Sequence, residues 1–252
     1  ARIPGLPRRL RVAPYAKEEL LACTIARLIG GAGHVAVGAT SPVPATGAFF
    51  SRAFYNKKLR ISLLHKRAGN PFTEGSRELF DLAGQGRIDV FFLGGAQIDG
   101  EANINLVQAG GHRFPGSFGS AFMYFTAGRT ILFREEHSKR VLVPKVDFIS
   151  APGWSPPEVR RRGGPQALLT GKALFLWQQD RRRFRLQSVH PGHSAAELRE
   201  QTGFDYDVSP VCGETTAPSA QELEILRTKV KPEIAVNYPE FARRVWNAGA
   251  AT

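Results

Sequence analysis

The chain has 252 residues, which suits one large α/β domain or two small ones and is ample for a buried core. No apolar run approaches the ~20 residues that a membrane span needs, so we expect no membrane segment. The net charge of +12 raises the question of nucleic acid. The basic residues fall in separate predicted loops without zinc-finger or RNP-type motifs, so we expect no nucleic acid as a partner. Solvated basic loops account for this charge first, and a field that attracts a phosphorylated small molecule or an acidic partner subunit is the alternative.

The two cysteines, Cys23 and Cys212, lie far apart, with no CxxC pair and no neighbouring histidine pair. This spacing argues against a disulfide framework and against a metal site, and it fits a reducing, cytoplasmic location. The basic N-terminus has no apolar signal core, which agrees with that location. Cys23 falls within a helical apolar pattern and is predicted to be a core thiol.

The first half of the chain alternates helical patterns with short apolar runs. Acidic residues begin the first helix, and Gly30-Gly31 ends it. The predicted helices of this half span residues 17–28, 45–54 and 75–83. The predicted strands span residues 34–37, 59–64, 88–93 and 129–134.

The second half is predicted to be richer in strands. An extended segment is expected over 140–150, followed by strands at 167–169, 173–177 and 183–187 and helices at 194–201 and 221–230. The alternation indicates an α/β fold with a mostly parallel sheet, flanking helices and a β-rich C-terminal part that packs on the first. Function is then expected at the carboxyl ends of strands, in loops 38–47, 65–75 and 94–105. We predict an N-terminal extension (1–15), one domain (16–245) and a flexible tail (246–252).

The stretch over residues 86–120 contains two glycine-rich loops. Gly94-Gly95 ends the strand at 88–93, and PGSFGS occupies residues 115–120. Glycine loops at strand and helix ends can bring bare backbone N–H groups against a ligand. The alternative is two tight turns in an ordinary α/β domain.

Several motifs occur in order: FLGGAQID at 92–99, NIN at 103–105, PGSFG at 115–119 and KVDFISAPG at 145–153. HPG at 190–192 and QTGFD at 201–205 follow. Each motif alone is weak, but the ordered set resembles the B (β) subunit of the family I coenzyme A transferases, of the glutaconate CoA-transferase type. The resemblance spans most of residues 16–235.

The resemblance implies the CoA-transferase, ribose-5-phosphate-isomerase-like fold. It also implies an α-subunit partner, often in an α2β2 assembly, and an acyl-CoA substrate without a covalently bound cofactor. In the family, a β-subunit glutamate attacks the thioester, so that one acyl transfer is split into easier steps. The glycine loops would then face the oxyanion. The oxyanion- or thioester-binding residues implied are Gly94, Gly95, Gln97, Gly116 and Gly119.

The chain departs from the family where that glutamate should follow the strand at 59–64. Leu64, or His65 with a shift of one, stands there, and the next carboxylate is Glu74. A rearranged loop could bring Glu74 to the site. Alternatively, the partner supplies the catalytic group in a hydrolase, lyase or decarboxylase, including the type that opens steroid rings. The remaining alternatives are ordinary transfer by another residue and a non-catalytic scaffold for the α subunit.

Four residues are candidates for catalysis. His65 is the imidazole nearest the vacated position and would act as a base. Glu74 precedes a helix, where a capping role is the alternative. Asp99 and Glu101 follow the Gly-Gly turn, although Asp99 is equally suited to fixing its own loop.

Overall fold

The computed structural model describes residues 14–64, 72 and 74–246. Within them the chain forms a central sheet with helices on both faces, which confirms the predicted α/β class. The helices are α1 (Lys17–Ile29), α2 (Pro42–Phe54), α3 (Ser76–Gly84), α4 (Ser120–Thr126), α5 (Ala195–Gln201), α6 (Ala220–Ile225), α7 (Lys231–Asn237) and α8 (Pro239–Trp246). A π-helical turn, Leu226–Val230, joins α6 to α7.

The described strands form one large sheet and two small hairpins. The strands are β1 (His34–Val37), β2 (Arg60–Leu63), β3 (Val90–Leu93), β4 (Gln97–Ile98), β5 (Ile104–Asn105), β6 (Gln108–Ala109), β7 (His112–Arg113), β8 (Arg129–Arg134), β9 (Pro165–Thr170), β10 (Ala173–Gln178), β11 (Arg183–Val189) and β12 (Asp207–Glu214). The hairpins are β4–β5 and β6–β7.

The large sheet has the order β12-β11-β10-β9-β8-β3-β1-β2. Within it β10 alone runs antiparallel to its neighbours. The strands after residue 140 therefore continue the same sheet, whereas the sequence led us to expect a β-rich part packed onto it. The carboxyl ends of β1, β3 and β8 meet at one edge, because these strands are parallel neighbours.

Alternate residues of the central strands enter two separate cores, as expected for a sheet covered on both faces. The core that contains α1 and α2 takes Val35, Val37, Val90, Phe92 and Ile131. The core that contains α3 and α4 takes Ala36, Phe91, Leu93 and Leu132. Cys23 is fully buried in the first core, as predicted.

Several boundaries differ from the prediction. Helix α2 starts at Pro42 and not at residue 45. The first turn of a helix tolerates proline, because the N–H group that proline lacks would have no partner within the helix there. Residues 140–150 form no strand, because they pair with the β4–β5 hairpin only at isolated bridges: Ile98 N donates to Val141 O at 2.7 Å. The predicted domain bounds, 1–15, 16–245 and 246–252, remain predictions.

No helix in the described part of the chain is long and apolar enough to cross a membrane.

Candidate active site

A cleft of about 1060 Å³ opens at the edge of the sheet where β1, β3 and β8 end. Its walls come from the end of β3 with Gly94 and Gly95, from residues 40–44 at the start of α2, and from residues 133–136 after β8. Residues 114–116 of the second glycine loop form another side. The two glycine loops, predicted to serve one site, therefore contribute to one cleft.

The glycines of the first loop are required by close backbone approach. A Cβ on Gly94 would lie 2.8 Å from the carbonyl oxygen of Phe133, which is closer than real Cβ contacts come. Gly95 is equally crowded, by the β4–β5 hairpin. These glycines hold bare main chain against the cleft, as an oxyanion-binding wall requires.

Gln97 lies behind this wall and is buried. Its Oε1 accepts hydrogen bonds from Asn105 Nδ2 at 2.8 Å and from the Asp147 backbone N–H at 2.9 Å. Asn105 Oδ1 in turn accepts from the N–H groups of Val107 and Gln108. The side-chain oxygen of Gln97 thus ties the hairpin to the loop at residue 147. Its predicted contact with a thioester remains a prediction.

The second glycine loop has two different ends. Gly116 borders the cleft and has φ +120°, a conformation that favours glycine. Gly119 precedes α4 and packs under a ring instead, since a Cβ there would lie 2.1 Å from Phe80. Gly116 therefore borders the cleft, whereas Gly119 fixes the loop.

A charged wall borders the cleft after β8, and the sequence prediction missed it. Lys17 Nζ lies 2.5 Å from Glu135 Oε1, and Glu136 is paired with Arg140. The bonds from Arg140 and then Ser138 lower the pKa of the Glu136 carboxyl. The available signal for this wall was its position directly after the correctly predicted strand at 129–134, because ligands of parallel sheets bind at the carboxyl ends of strands.

Asp99 lies in a different place, at the turn of the β4–β5 hairpin. It borders a second groove of about 870 Å³, shared with Arg181–Arg183 of the β10–β11 turn. Its carboxylate accepts from the N–H groups of Glu101 (3.1 Å) and Asn103 (3.0 Å), and from Asn103 Nδ2 (3.1 Å). Burial raises the pKa of Asp99, opposed by these hydrogen bonds. Its contacts are those of a loop-fixing carboxylate.

The other three candidates are dispersed. Glu101 is exposed beside Asp99 in the second groove, with Asn103 Nδ2 3.5 Å from its carboxylate. Glu74 is exposed, precedes α3 and pairs with Arg77 in its first turn at 3.1 Å. His65 lies outside the described residues. The structure thus brings Gly94, Gly95 and Gly116 together but does not bring Asp99, Glu101 or Glu74 into their cleft.

Leu64, which with His65 is one of the two residues predicted to stand where the family has its glutamate, follows the end of β2. Its backbone N–H donates to Val37 O at 3.0 Å, which places it beside the end of β1. Its side chain is partly buried against the core that contains α3 and α4. No cluster of residues suited to holding a metal ion occurs in the described ranges.

Comparison with known proteins agrees with this arrangement. The family model for coenzyme A transferase matches residues 25–196, so the chain belongs to the coenzyme A transferase family. Within it, the chain is similar to the B-type chains of two-chain enzymes. It is 34% identical over 155 residues to the B-type chain of glutaconate CoA-transferase from Acidaminococcus fermentans, an alignment that covers 57% of each. The chain thus spans little more than half the length of that relative.

Other similarities cover more of the chain. The cholesterol ring-cleaving hydrolase IpdB subunit of Rhodococcus jostii is 24% identical over 244 residues, covering 88% of this chain and 94% of that protein. The crystal structure of glutaconate CoA-transferase from Acidaminococcus fermentans gives a TM-score of 0.77 at 25% identity, covering 89% and 98%. The crystal structure of the decarboxylase AibA/AibB gives a TM-score of 0.73 at 26% identity. The match covers 85% of this chain and 94% of that chain. The predicted CoA-transferase fold is confirmed.

Proposed function

We infer that this chain is the β subunit of a heteromeric enzyme that acts on an acyl-CoA thioester together with an A-type subunit. The cleft at the ends of β1, β3 and β8 carries this proposal, because ligands of open α/β sheets bind at that edge. Four cationic side chains border the cleft against its two carboxylates, and one of the four pairs with Glu18; the remaining excess of positive charge favours a substrate with a phosphate-bearing tail. The cationic residues are Lys17, Arg134, Arg140 and Arg244.

The thioester carbonyl is proposed to point at the backbone of Gly94 and Gly95. Amide N–H groups there would bind the negative charge that develops on the thioester oxygen, whether the next step is addition or proton removal. Since the main chain at these glycines is fixed by close packing, the donors need no reorganisation during the reaction.

The catalytic carboxylate is proposed to come from the partner subunit. Neither Leu64 nor His65 can form the glutamyl anhydride of the family's transferases. The two carboxylates of the described cleft are engaged in ion pairs with Lys17 and Arg140. We therefore favour hydrolysis, ring opening or decarboxylation of an acyl-CoA over acyl transfer. A hydrolase subunit and a decarboxylase resemble this chain over 85% or more of its length, as the glutaconate CoA-transferase structure also does, so the choice rests on the missing glutamate.

The test is to co-express the chain with the A-type coenzyme A transferase chain of the same genome and to assay the purified complex on a panel of acyl-CoA thioesters. Free CoA, released carbon dioxide and the mass of the remaining thioester distinguish three reactions. Hydrolysis releases CoA without an acceptor, decarboxylation releases carbon dioxide, and ring opening by water adds water while CoA stays attached.

Two results would contradict the proposal. Absence of both a complex and acyl-CoA turnover would remove the assignment to an acyl-CoA enzyme. Turnover that requires a carboxylate acceptor, with a hydroxylamine-sensitive glutamyl-CoA adduct on this chain, would restore ordinary transfer.

A further inference from the structure

The second groove, of about 870 Å³, has the volume of a small-molecule site, and the candidate active site does not use it. It lies between the turn of the β4–β5 hairpin, the β10–β11 turn and the C-terminal end of α5. Cationic side chains border it from three separate parts of the chain. They are Lys145, Arg181, Arg182, Arg183 and Arg199.

Arg182, in the β10–β11 turn, is held in a strained backbone conformation. Its φ is +49°, in the left-handed region that glycine adopts far more readily. Its guanidinium carbon lies 3.7 Å from the centre of the Trp154 ring. A guanidinium that stacks on a ring keeps its N–H groups in its own plane, where they can bind an anion in pairs. Backbone strain of this kind is concentrated at functional sites, ligand clamps among them.

Arg199 repeats this arrangement on α5. Its guanidinium carbon lies 4.3 Å from the centre of the Tyr206 ring. Its ion pair with Asp205 is long, at 3.9 Å, and 93% of the Asp205 side chain is exposed. An exposed pair of this length contributes little in water. The N–H groups of Arg199 therefore stay available to a ligand.

The two arginines that flank Arg182 are already paired. Arg181 lies 2.5 Å and Arg183 lies 3.4 Å from the carboxylate of Asp207. Arg182 and Lys145, by contrast, form neither a hydrogen bond nor an ion pair with any residue that the structure describes. Together with Arg199 they leave three cationic groups of the groove without a close carboxylate.

Three carboxylates also border the groove and restrict what it can hold: Asp99, Glu101 and Asp205. The charge of Asp99 is engaged by N–H groups of its own loop. Glu101 and Asp205 are exposed, so water and salt screen them. A ligand with one negative charge would bind weakly in this mixed field. A ligand with several charges can contact the three available cations at once.

We propose that this groove is a second ligand site, for a small molecule that carries a diphosphate, with Arg182 and Arg199 as its main contacts and Lys145 as a third. A diphosphate concentrates several negative charges on adjacent groups and accepts the paired N–H donors of guanidinium. Both a free nucleotide and coenzyme A carry this group. The site is separate from the cleft and does not depend on the proposed function.

Calorimetry on the full chain, at fixed ionic strength, measures Kd for ADP, pyrophosphate and orthophosphate. We expect orthophosphate to bind more weakly than the other two. Arg182→Gly and Arg199→Gln should each raise the Kd of ADP and pyrophosphate about tenfold or more, because each removes hydrogen bonds to a charged group. Arg160→Gln is the matched control, an exposed arginine outside the groove, and should raise Kd less than about twofold.

Arg182→Gly also separates binding from folding. Glycine accepts the positive φ at this position, so the variant should lose affinity without losing thermal stability. A wild-type chain that binds neither ADP nor pyrophosphate would overturn the site. An equal loss in Arg160→Gln would overturn it too, since binding would then follow from the net charge of +12 alone.

Two further comparisons locate the ligand and identify its source. If Arg134→Gln in the cleft raises the Kd of ADP and the groove variants do not, ADP binds in the cleft and the proposal is wrong. Titration with coenzyme A distinguishes the two sources of diphosphate. Arg182→Gly should weaken coenzyme A and ADP alike if the groove holds coenzyme A, and ADP alone if it holds a free nucleotide.

Discussion

A side chain at Gly95 would collide with the main chain of Gln97, because a Cβ on Gly95 would lie 2.7 Å from the Gln97 carbonyl oxygen. The same Cβ would lie 3.0 Å from Ile104 Cγ2, so the β4–β5 hairpin surrounds this position. The backbone wall of the cleft is thus set by packing between the end of β3 and that hairpin.

We expect Gly95→Ala to lower the free energy of unfolding by about 1–3 kcal/mol, since backbone must shift to admit the methyl group. Turnover of the complex should fall more steeply than stability, because the displaced amides belong to the proposed oxyanion-binding wall. Gly213→Ala is the control, since a Cβ there meets nothing within 4 Å. Urea unfolding and acyl-CoA turnover check both variants, and equal turnover in the two would contradict the role of Gly95.

Acid should destabilise the fold through two buried histidines. His137 bonds Thr170 Oγ1 and Thr202 Oγ1 at 2.9 Å each, and His190 bonds Thr215 Oγ1 at 2.8 Å. Burial lowers the pKa of each imidazole to about 4. Between pH 6.5 and 4 the unfolded chain therefore binds more protons than the folded one, so the free energy of unfolding falls as pH falls. The loss reaches about 3 kcal/mol per histidine.

Urea midpoints measured from pH 7.5 to 4.5 test this expectation. His137→Asn and His190→Asn should lower stability at pH 7.5 but flatten its dependence on pH. His112→Asn changes an exposed histidine and should keep the wild-type slope. If a variant that carries both substitutions keeps the wild-type slope of unfolding free energy against pH, other groups cause the acid sensitivity.

Asp99 and Glu101 should respond differently to substitution, although the sequence made both catalytic candidates. Asp99→Ala leaves the buried N–H of Asn103 and the partly buried N–H of Glu101 without their acceptor, which should cost about 2 kcal/mol of unfolding free energy. Glu101→Ala removes an exposed side chain and should change the free energy of unfolding by less than about 0.5 kcal/mol. Thermal unfolding compares the two, and a stable Asp99→Ala chain that forms an inactive complex would return Asp99 to the catalytic group.

The sequence predicted the elements with strong apolar periodicity and missed those defined by distant contacts. The strand at 129–134 matches β8 residue for residue, because its apolar run is bounded by arginines on both sides. By contrast, residues 140–150 are predicted to be extended, whereas in the structure they meet the hairpin only at isolated bridges beside Ile98 and Ile104, distant contacts that the sequence pattern does not show. The sequence prediction missed Glu135 for the same reason, because its position in the cleft depends on how β8 lies beside β3.

The final prediction concerns the source of the catalytic carboxylate. Glu74→Gln, Glu101→Gln and Glu135→Gln remove the negative charge of three side chains while nearly preserving their size. If the partner subunit supplies the carboxylate, each complex should retain kcat within about threefold, because losing an acid or base group costs about 100-fold or more. Glu135→Gln alone should change KM, since it frees Lys17 at the border of the cleft. His65→Ala belongs in the same series, as it stands nearest the vacated position in the sequence. A fall of about 100-fold or more in kcat for any one variant, with its complex still assembled, would place a catalytic side chain in this subunit.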